Sequence, residues 1–281
     1  MSEQKAAPAP APGQGSNLLT RIAAALVLAP IAIVCAYVGG WLWIALVTLA
    51  TIGLLIEWQL VIGASREILA TAAGAIALLI AGILLATWSI ESAVVMLGLG
   101  LLAVAVLAPG HRGWSAAGFL YAAAAQLASI LVRLDHAEGL VALILVLLVV
   151  WVTDIGGYFA GRGIGGPKLW PRVSPNKTWA GAIGGFAASL MVAAGFAACG
   201  YGKTWPMLLL GAALSIASQF GDLFESAVKR HFGVKDSSHI IPGHGGLMDR
   251  LDGFVAAIVL AAIFGLLRGG LDGVGRALMV W

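Results

Sequence analysis

Two stretches concentrate the side chains that could do chemistry. The longer, residues 218–253, reads SQFGDLFESAVKRHFGVKDSSHIIPGHGGLMDRLDG. Asp222 and Glu225 stand three apart and Lys229 follows four later, so on one helix they form an acidic face succeeded by a base. Asp249 and Asp252 repeat the three-residue spacing and would share a face where the next apolar run begins. Carboxylates at a membrane boundary are costly unless paired or metal-bound, and hard oxygens are what Mg²⁺ takes alongside substrate phosphates. Structural neutralisation by Lys229, Arg230 or Arg250 is the competing reading. Pro242, Gly243, Gly245 and Gly246 surround His244 with free backbone, which suits a phosphate-facing turn. His231 and His239 read as polar supports, and Lys235 with Asp236 reads in isolation as a local ion pair.

The second stretch, residues 154–179, opens with Asp154, Gly156, Gly157 and Tyr158, continues through GRGIGG and ends in Ser174, Pro175, Asn176, Lys177, Thr178 and Trp179. Arg162, Lys168, Arg172 and Lys177 could meet phosphates together with freed backbone N–H groups. There is no intact Walker A pattern, and a basic loop beside a helix also serves simply to orient a membrane protein. Ser174 or Thr178 could equally cap the helix that follows.

The elements that must position these groups are apolar. Of 281 residues 60% are hydrophobic and 10% charged, against about a quarter charged in soluble domains. With a mean hydropathy of +0.98 this excludes a soluble globule or a disordered chain. Continuous apolar runs at about 22–38, 41–56, 68–87, 92–108, 114–132, 139–153, 180–199, 205–221 and 251–267 predict an all-α polytopic integral membrane helix bundle of about nine spans. Residues 1–17 form a Pro/Ala-rich tail, 18–150 the N-terminal membrane helices and 151–281 a C-terminal catalytic region with polar loops at 154–179 and 222–250. With nine alternating spans, 12 of the 16 Lys and Arg residues fall on the side of the N-terminus and both polar loops, which predicts that this side is cytoplasmic. A net charge of +3 is too weak to suggest a nucleic-acid partner. Cys35 and Cys199 form no CxxC and read as packing residues, and the glycine-rich spans leave room for close intramolecular packing or a homodimer interface.

At this point the sequence resembles a known family, the phosphatidate cytidylyltransferases, also called CDP-diacylglycerol synthases. The family pattern is filled by Ser226, Lys229, Arg230, Lys235, Asp236, Ser238, Pro242, His244, Gly245, Gly246, Asp249, Arg250 and Asp252 over 27 residues without a gap. Upstream, Asp154 to Tyr158 is similar to the family's Asp-x-x-Ala-Tyr segment. Ser174 to Gly181 resembles its Ser-Pro-Lys-Lys-Thr-Trp-Glu-Gly loop, with Asn176 and Ala180 departing from the Lys and Glu positions. The resemblance covers about residues 150–253 and implies a bacterial inner-membrane enzyme that joins CTP to phosphatidate, releases pyrophosphate and depends on a divalent metal. On that footing Asp222, Asp249 and Asp252 are the expected ligands of one or two Mg²⁺ ions, with a monovalent cation a further expectation, and Lys229 joins them in the catalytic set. Arg230, Lys235, Arg250 and Lys177 are expected phosphate contacts. Ser174 and Thr178 add hydroxyls, and His244, Gly245 and Gly246 shape the turn. A transporter that binds its coupling cation through the same carboxylates, or a noncatalytic assembly subunit, is the alternative the residues alone leave open.

Overall fold

In a computed structural model of the chain, residues 30–238 and 245–281 are described. The expected tail over 1–17, residues 22–29 of the first expected span, and His239, Pro242, Gly243 and His244 lie outside the described residues. Residues 30–38 are helical and end at Gly39 and Gly40, both at positive φ. There Arg133 donates from Nε to the Ala36 carbonyl (2.7 Å) and from Nη2 to that of Tyr37 (2.9 Å), satisfying two orphaned helix-end acceptors. A Cβ at Gly39 would stand 2.5 Å from that guanidinium and would displace it, while the positive φ itself favours glycine.

Eight long helices follow: α1 (Gly40–Val61), α2 (Ile68–Ala86), α3 (Ile90–Leu107), α4 (Arg112–Leu134), α5 (Gly139–Gly163), α6 (Trp179–Ala198), α7 (Thr204–His231) and α8 (Met248–Gly269). All eight are long and apolar enough to cross a membrane. A 3₁₀ turn, Leu271–Gly273, and a short α9, Val274–Met279, close the chain against α8. The protein is thus a multi-pass all-α membrane bundle with one small addition. Between α5 and α6 the strands β1 (Lys168–Trp170) and β2 (Ser174–Thr178) pair antiparallel, Lys168 opposite Thr178 and Trp170 opposite Ser174.

The helices run further than the apolar runs suggest. At 1.5 Å per residue the 28-residue α7 is about 42 Å long, against roughly 30 Å of hydrocarbon. Its last turns therefore project beyond the apolar layer. The polar stretch expected as a loop from 222 remains helical to His231, and α8 already begins at Met248. Helix α5 likewise runs to Gly163 through the stretch expected as loop from 154.

Buried polar side chains knit the bundle. Gln126 donates to Thr48 Oγ1 and to the Leu78 carbonyl, both at 2.9 Å, and Thr153 and Ser215 share a hydrogen bond of 2.9 Å. Helices α5 and α6 approach most closely through small residues. A Cβ on Gly185 would run into the Thr153 carbonyl. Large apolar side chains such as Leu49, Val95, Leu102 and Leu267 are exposed around the outside, as a lipid-facing surface requires.

Candidate active site

Helix α7 carries Asp222, Glu225, Ser226 and Lys229 at i, i+3, i+4 and i+7, one face of a helix. Helix α8 brings Asp249 and Asp252 in its first turns against that face. Lys229 bridges the two helices, with Nζ 3.1 Å from Glu225 Oε1 and 2.5 Å from Asp249 Oδ1. The other oxygen of Asp249 accepts from the Ser237 N–H (3.1 Å), the Ser237 hydroxyl (3.0 Å) and the Gly246 N–H (3.0 Å). Asp252 lies within electrostatic reach of Asp154, Asp222 and Glu225, so four acids converge between α5, α7 and α8.

The hairpin supplies the counter-charge. Lys177, on β2, forms an ion pair with Asp222, which Ser226 also approaches at 3.4 Å. This pair stands at the wall of a cavity of about 700 Å³ lined by Asp154, Tyr158, Arg162, Asn176, Lys177, Thr178, Gln219 and Asp222 among others. Arg162 reaches back one turn to Tyr158 Oη at 2.8 Å, so its guanidinium is held at the cavity edge. A narrower apolar groove of about 380 Å³, with Trp170, Trp179, Ile183, Phe186, Ile216 and Phe220, adjoins the cavity and shares Leu169, Ala182 and Gln219 with it.

The structure brings together Asp222, Lys229, Asp249, Asp252 and Lys177 among the expected residues. Thr178 is buried and its Oγ1 accepts from the Gly181 N–H at 3.1 Å, so it is the N-cap of α6. Ser174 is half-buried at the start of β2. Arg230, Lys235 and Arg250 are exposed and do not line the cavity, Arg230 being turned toward the Val234 carbonyl at 3.4 Å. Gly245 adopts φ 82°, and Gly246 packs where a Cβ would run into Ser237 Oγ and Glu57.

Three acids matter beyond those expected as ligands. Asp154 lines the cavity, and Glu225 sits 1% exposed beneath Lys229. Glu57, on α1, is fully buried and accepts from Ser237 Oγ (3.0 Å), Ser238 Oγ (2.6 Å), Leu247 N (2.8 Å) and Met248 N (2.7 Å). One signal could have flagged it: it is the single charged residue in α1, and an ionisable group in a membrane span is a functional candidate by default.

Among the described residues, no three or more His, Cys, Asp or Glu side chains gather closely enough to hold a metal ion. The donor chemistry nevertheless suits one. Both carboxylate oxygens of Glu225 are buried, with the Lys229 cation beside them at 3.1 Å from Oε1, and Asp222 and Asp252 lie within electrostatic reach of each other. Hard oxygens under mutual repulsion fit a divalent cation such as Mg²⁺. Asp249 fits less well, because four protein donors already occupy its two oxygens, whereas Asp222 has Lys177 on one oxygen and Ser226 only at 3.4 Å from the other.

The chain matches the cytidylyltransferase family over residues 19–267. It is 42% identical over 258 residues to the phosphatidate cytidylyltransferase of Brucella suis biovar 1, covering 89% of this chain and 94% of that one. It belongs to the phosphatidate cytidylyltransferase family. The Brucella melitensis member is equally similar, again 42% over 258 residues. That of Staphylococcus haemolyticus is 48% identical over 130 residues, 46% of this chain and 50% of the relative. A multi-pass bundle with its acids and bases gathered between α5, the hairpin, α7 and α8 is therefore how this cytidylyltransferase builds its polar region.

Proposed function

We propose that the cavity between α5, β2, α6 and α7 takes CTP and the phosphate of phosphatidate, and that the residues around the Lys177–Asp222 pair join them. The protein is a nucleotidyltransferase: it transfers the cytidylyl group of CTP to phosphatidate, forming CDP-diacylglycerol and pyrophosphate. A lipid phosphate oxygen attacks the α-phosphorus, the bond to the bridging oxygen of the β-phosphate breaks, and pyrophosphate carries away that electron pair. The nucleophile arrives already ionised, so the chain need supply no Ser or Cys nucleophile. Its work is to hold two anions in line and neutralise them.

The observation that carries this reading is the ion pair between Lys177 and Asp222, 45 residues apart, which joins the two polar stretches at one cavity wall. Lys177 and Arg162 face the cavity and Lys229 stands behind Asp222 on the same helix, so cationic groups flank the place where phosphates would lie. Asp222, Asp252 and Glu225 would hold Mg²⁺, with Lys177 and Lys229 giving way to the ion at Asp222 and Glu225. Bound there, the ion supplies phosphate charge neutralisation and orientation of the leaving group. Asp249 would join as a ligand only by exchanging Lys229 for the ion, so its first task is to fix Lys229 and the turn at Gly246. The exposed Arg230, Lys235 and Arg250 draw the nucleotide in.

The apolar groove beside the cavity suits the lipid's acyl chains, and Trp170 of β1 and Trp179 at the start of α6 suit the boundary where headgroup meets hydrocarbon. The site faces the cytoplasm across the inner membrane, where CTP is found and where 12 of the 16 basic residues cluster. The experiment is a purified assay of CTP with phosphatidate, read as lipid-extractable nucleotide, in parent protein and Lys177→Ala. Parent turnover with a loss of about 100-fold in the variant supports the assignment. Equal rates would remove Lys177 from the site.

A further inference from the structure

Glu57 belongs to a helix with no described residue in the cavity wall, yet four hydrogen bonds tie it to the catalytic segment. Among the described residues its four donors are Ser237, Ser238, Leu247 and Met248, 180 to 191 positions away, and none comes from its own helix. Two are the backbone N–H groups of Leu247 and Met248 at the start of α8, where an anion meets orphaned donors and the positive end of the helix dipole. The other two are the hydroxyls of Ser237 and Ser238. A fully buried acid costs too much to keep in a membrane span without such compensation, so its position is set by the segment it holds.

The hold passes onward. The Ser237 hydroxyl lies 3.0 Å from Glu57 Oε2 and 3.0 Å from Asp249 Oδ2, and its one proton serves both carboxylates in turn. The Ser237 and Gly246 N–H groups also meet Asp249 Oδ2. Gly246 has no room for a Cβ because Ser237 Oγ and Glu57 occupy that space. Asp249 in turn fixes Lys229, and Lys229 reaches Glu225. Displacing Glu57 must therefore displace Asp249 and Lys229.

We propose that Glu57 is a positioning residue for cytidylyl transfer, setting Asp249 and Lys229 through Ser237 and the start of α8. This rests on the reading of 222–252 as the catalytic segment. The informative substitution is Glu57→Gln. Each carboxylate oxygen accepts one backbone N–H, so whichever way the amide is turned its NH₂ faces a donor, Leu247 or Met248. Leu247 or Met248 must shift although volume and packing are kept.

The test is kcat and KM for CTP per folded molecule of purified full-length Glu57→Gln, Ser237→Ala, their double variant and Asp252→Asn. Expected is a fall in kcat of about 100-fold for Glu57→Gln, the scale of a catalytic misplacement near 1 Å, with KM for CTP changed far less. Ser237→Ala should lose about tenfold and add nothing on the Glu57→Gln background, because both act through one chain of contacts. A merely structural Glu57 would cut folded yield while the folded molecules keep the parent kcat, and that result overturns the inference. Should Glu57→Gln fail to fold, Ser237→Ala decides alone: parent kcat overturns the inference, a tenfold loss upholds it. Loss in Asp252→Asn beside normal Glu57→Gln sinks only the role of Glu57. Normal rates in both sink the catalytic reading of the segment and the inference with it.

Discussion

Lys229 and Asp249, 20 residues apart in the chain, meet at 2.5 Å where the projecting end of α7 packs on the first turn of α8. The same ammonium stands 3.1 Å from Glu225, so one cation serves two carboxylates. Lys229→Met should destabilise the protein by about 3 kcal/mol, the cost of leaving buried acids without their partner. It should also lower kcat/KM about 100-fold. Adding Asp249→Asn removes one of the stranded charges and should return part of the thermal stability without returning activity. If stability and activity recovered together, Lys229 would be a structural tie with no part in phosphate positioning.

Lys177 and Asp222 present the opposite case. Their side chains are about a third exposed, 31% and 30%, so water screens the pair and its loss should cost under about 1 kcal/mol of stability. Activity should nevertheless fall about 100-fold in Lys177→Ala and in Asp222→Asn, because both groups face the cavity. Thermal unfolding and turnover measured on the same samples check this. Activity that merely tracks the small stability change would return the pair to the role of a hairpin clasp.

Metal removal gives a third expectation. Chelation should abolish CDP-lipid formation and added Mg²⁺ should restore it. In Asp252→Asn the Mg²⁺ concentration for half-maximal rate should rise about tenfold or more, a cost that even outer-shell substitutions reach at metal sites. An unchanged Mg²⁺ dependence in a folded Asp252→Asn protein would take Asp252 out of the ligand set.

Thr178 separates a cap from a substrate contact. Its hydroxyl already accepts from the Gly181 N–H, so Thr178→Ser should be near parent behaviour, while Thr178→Ala should lose about 1 kcal/mol of stability. A variant Thr178→Ala with parent stability but poor turnover would assign the hydroxyl to substrate instead.

Continuous apolar runs made the membrane bundle legible in the sequence, because nothing but helices leaves such runs in a multi-pass chain. The two polar stretches were equally visible, and so were Asp222, Lys229, Asp249 and Asp252. The helix ends were not. A charge in an apolar run reads as an edge, which placed Glu57 in a loop at 57–67 although α1 runs on to Val61. The same rule stopped the eighth span at 221, whereas the i, i+4 pair of Glu225 and Lys229 and the packing of α8 carry α7 ten residues further, to His231. The hairpin was hidden by its short strands and by Pro171 and Pro175, which read as turn residues. Above all, spacing along the chain says nothing of partners 45 or 180 residues away, so Lys177 with Asp222, and Glu57 with Ser237, needed the fold.

Sidedness can be tested with a control the chain already carries. Helix α6 begins beside the cavity at Trp179 and ends at Ala198, so Cys199 lies at the opposite face of the bundle from the catalytic segment, and it is exposed. Lys235 is exposed on the near side. In a Cys35→Ala background, Cys199 should react with a membrane-impermeant thiol reagent from the periplasmic face, in right-side-out vesicles. In a Cys35→Ala, Cys199→Ala background, Lys235→Cys should react only in inverted vesicles. The two labels must segregate whatever the orientation, because α7 crosses the bilayer once between them. Which vesicle labels which cysteine then reads the direction, and labelling of Lys235→Cys from the periplasmic face would put the cavity on the side without CTP.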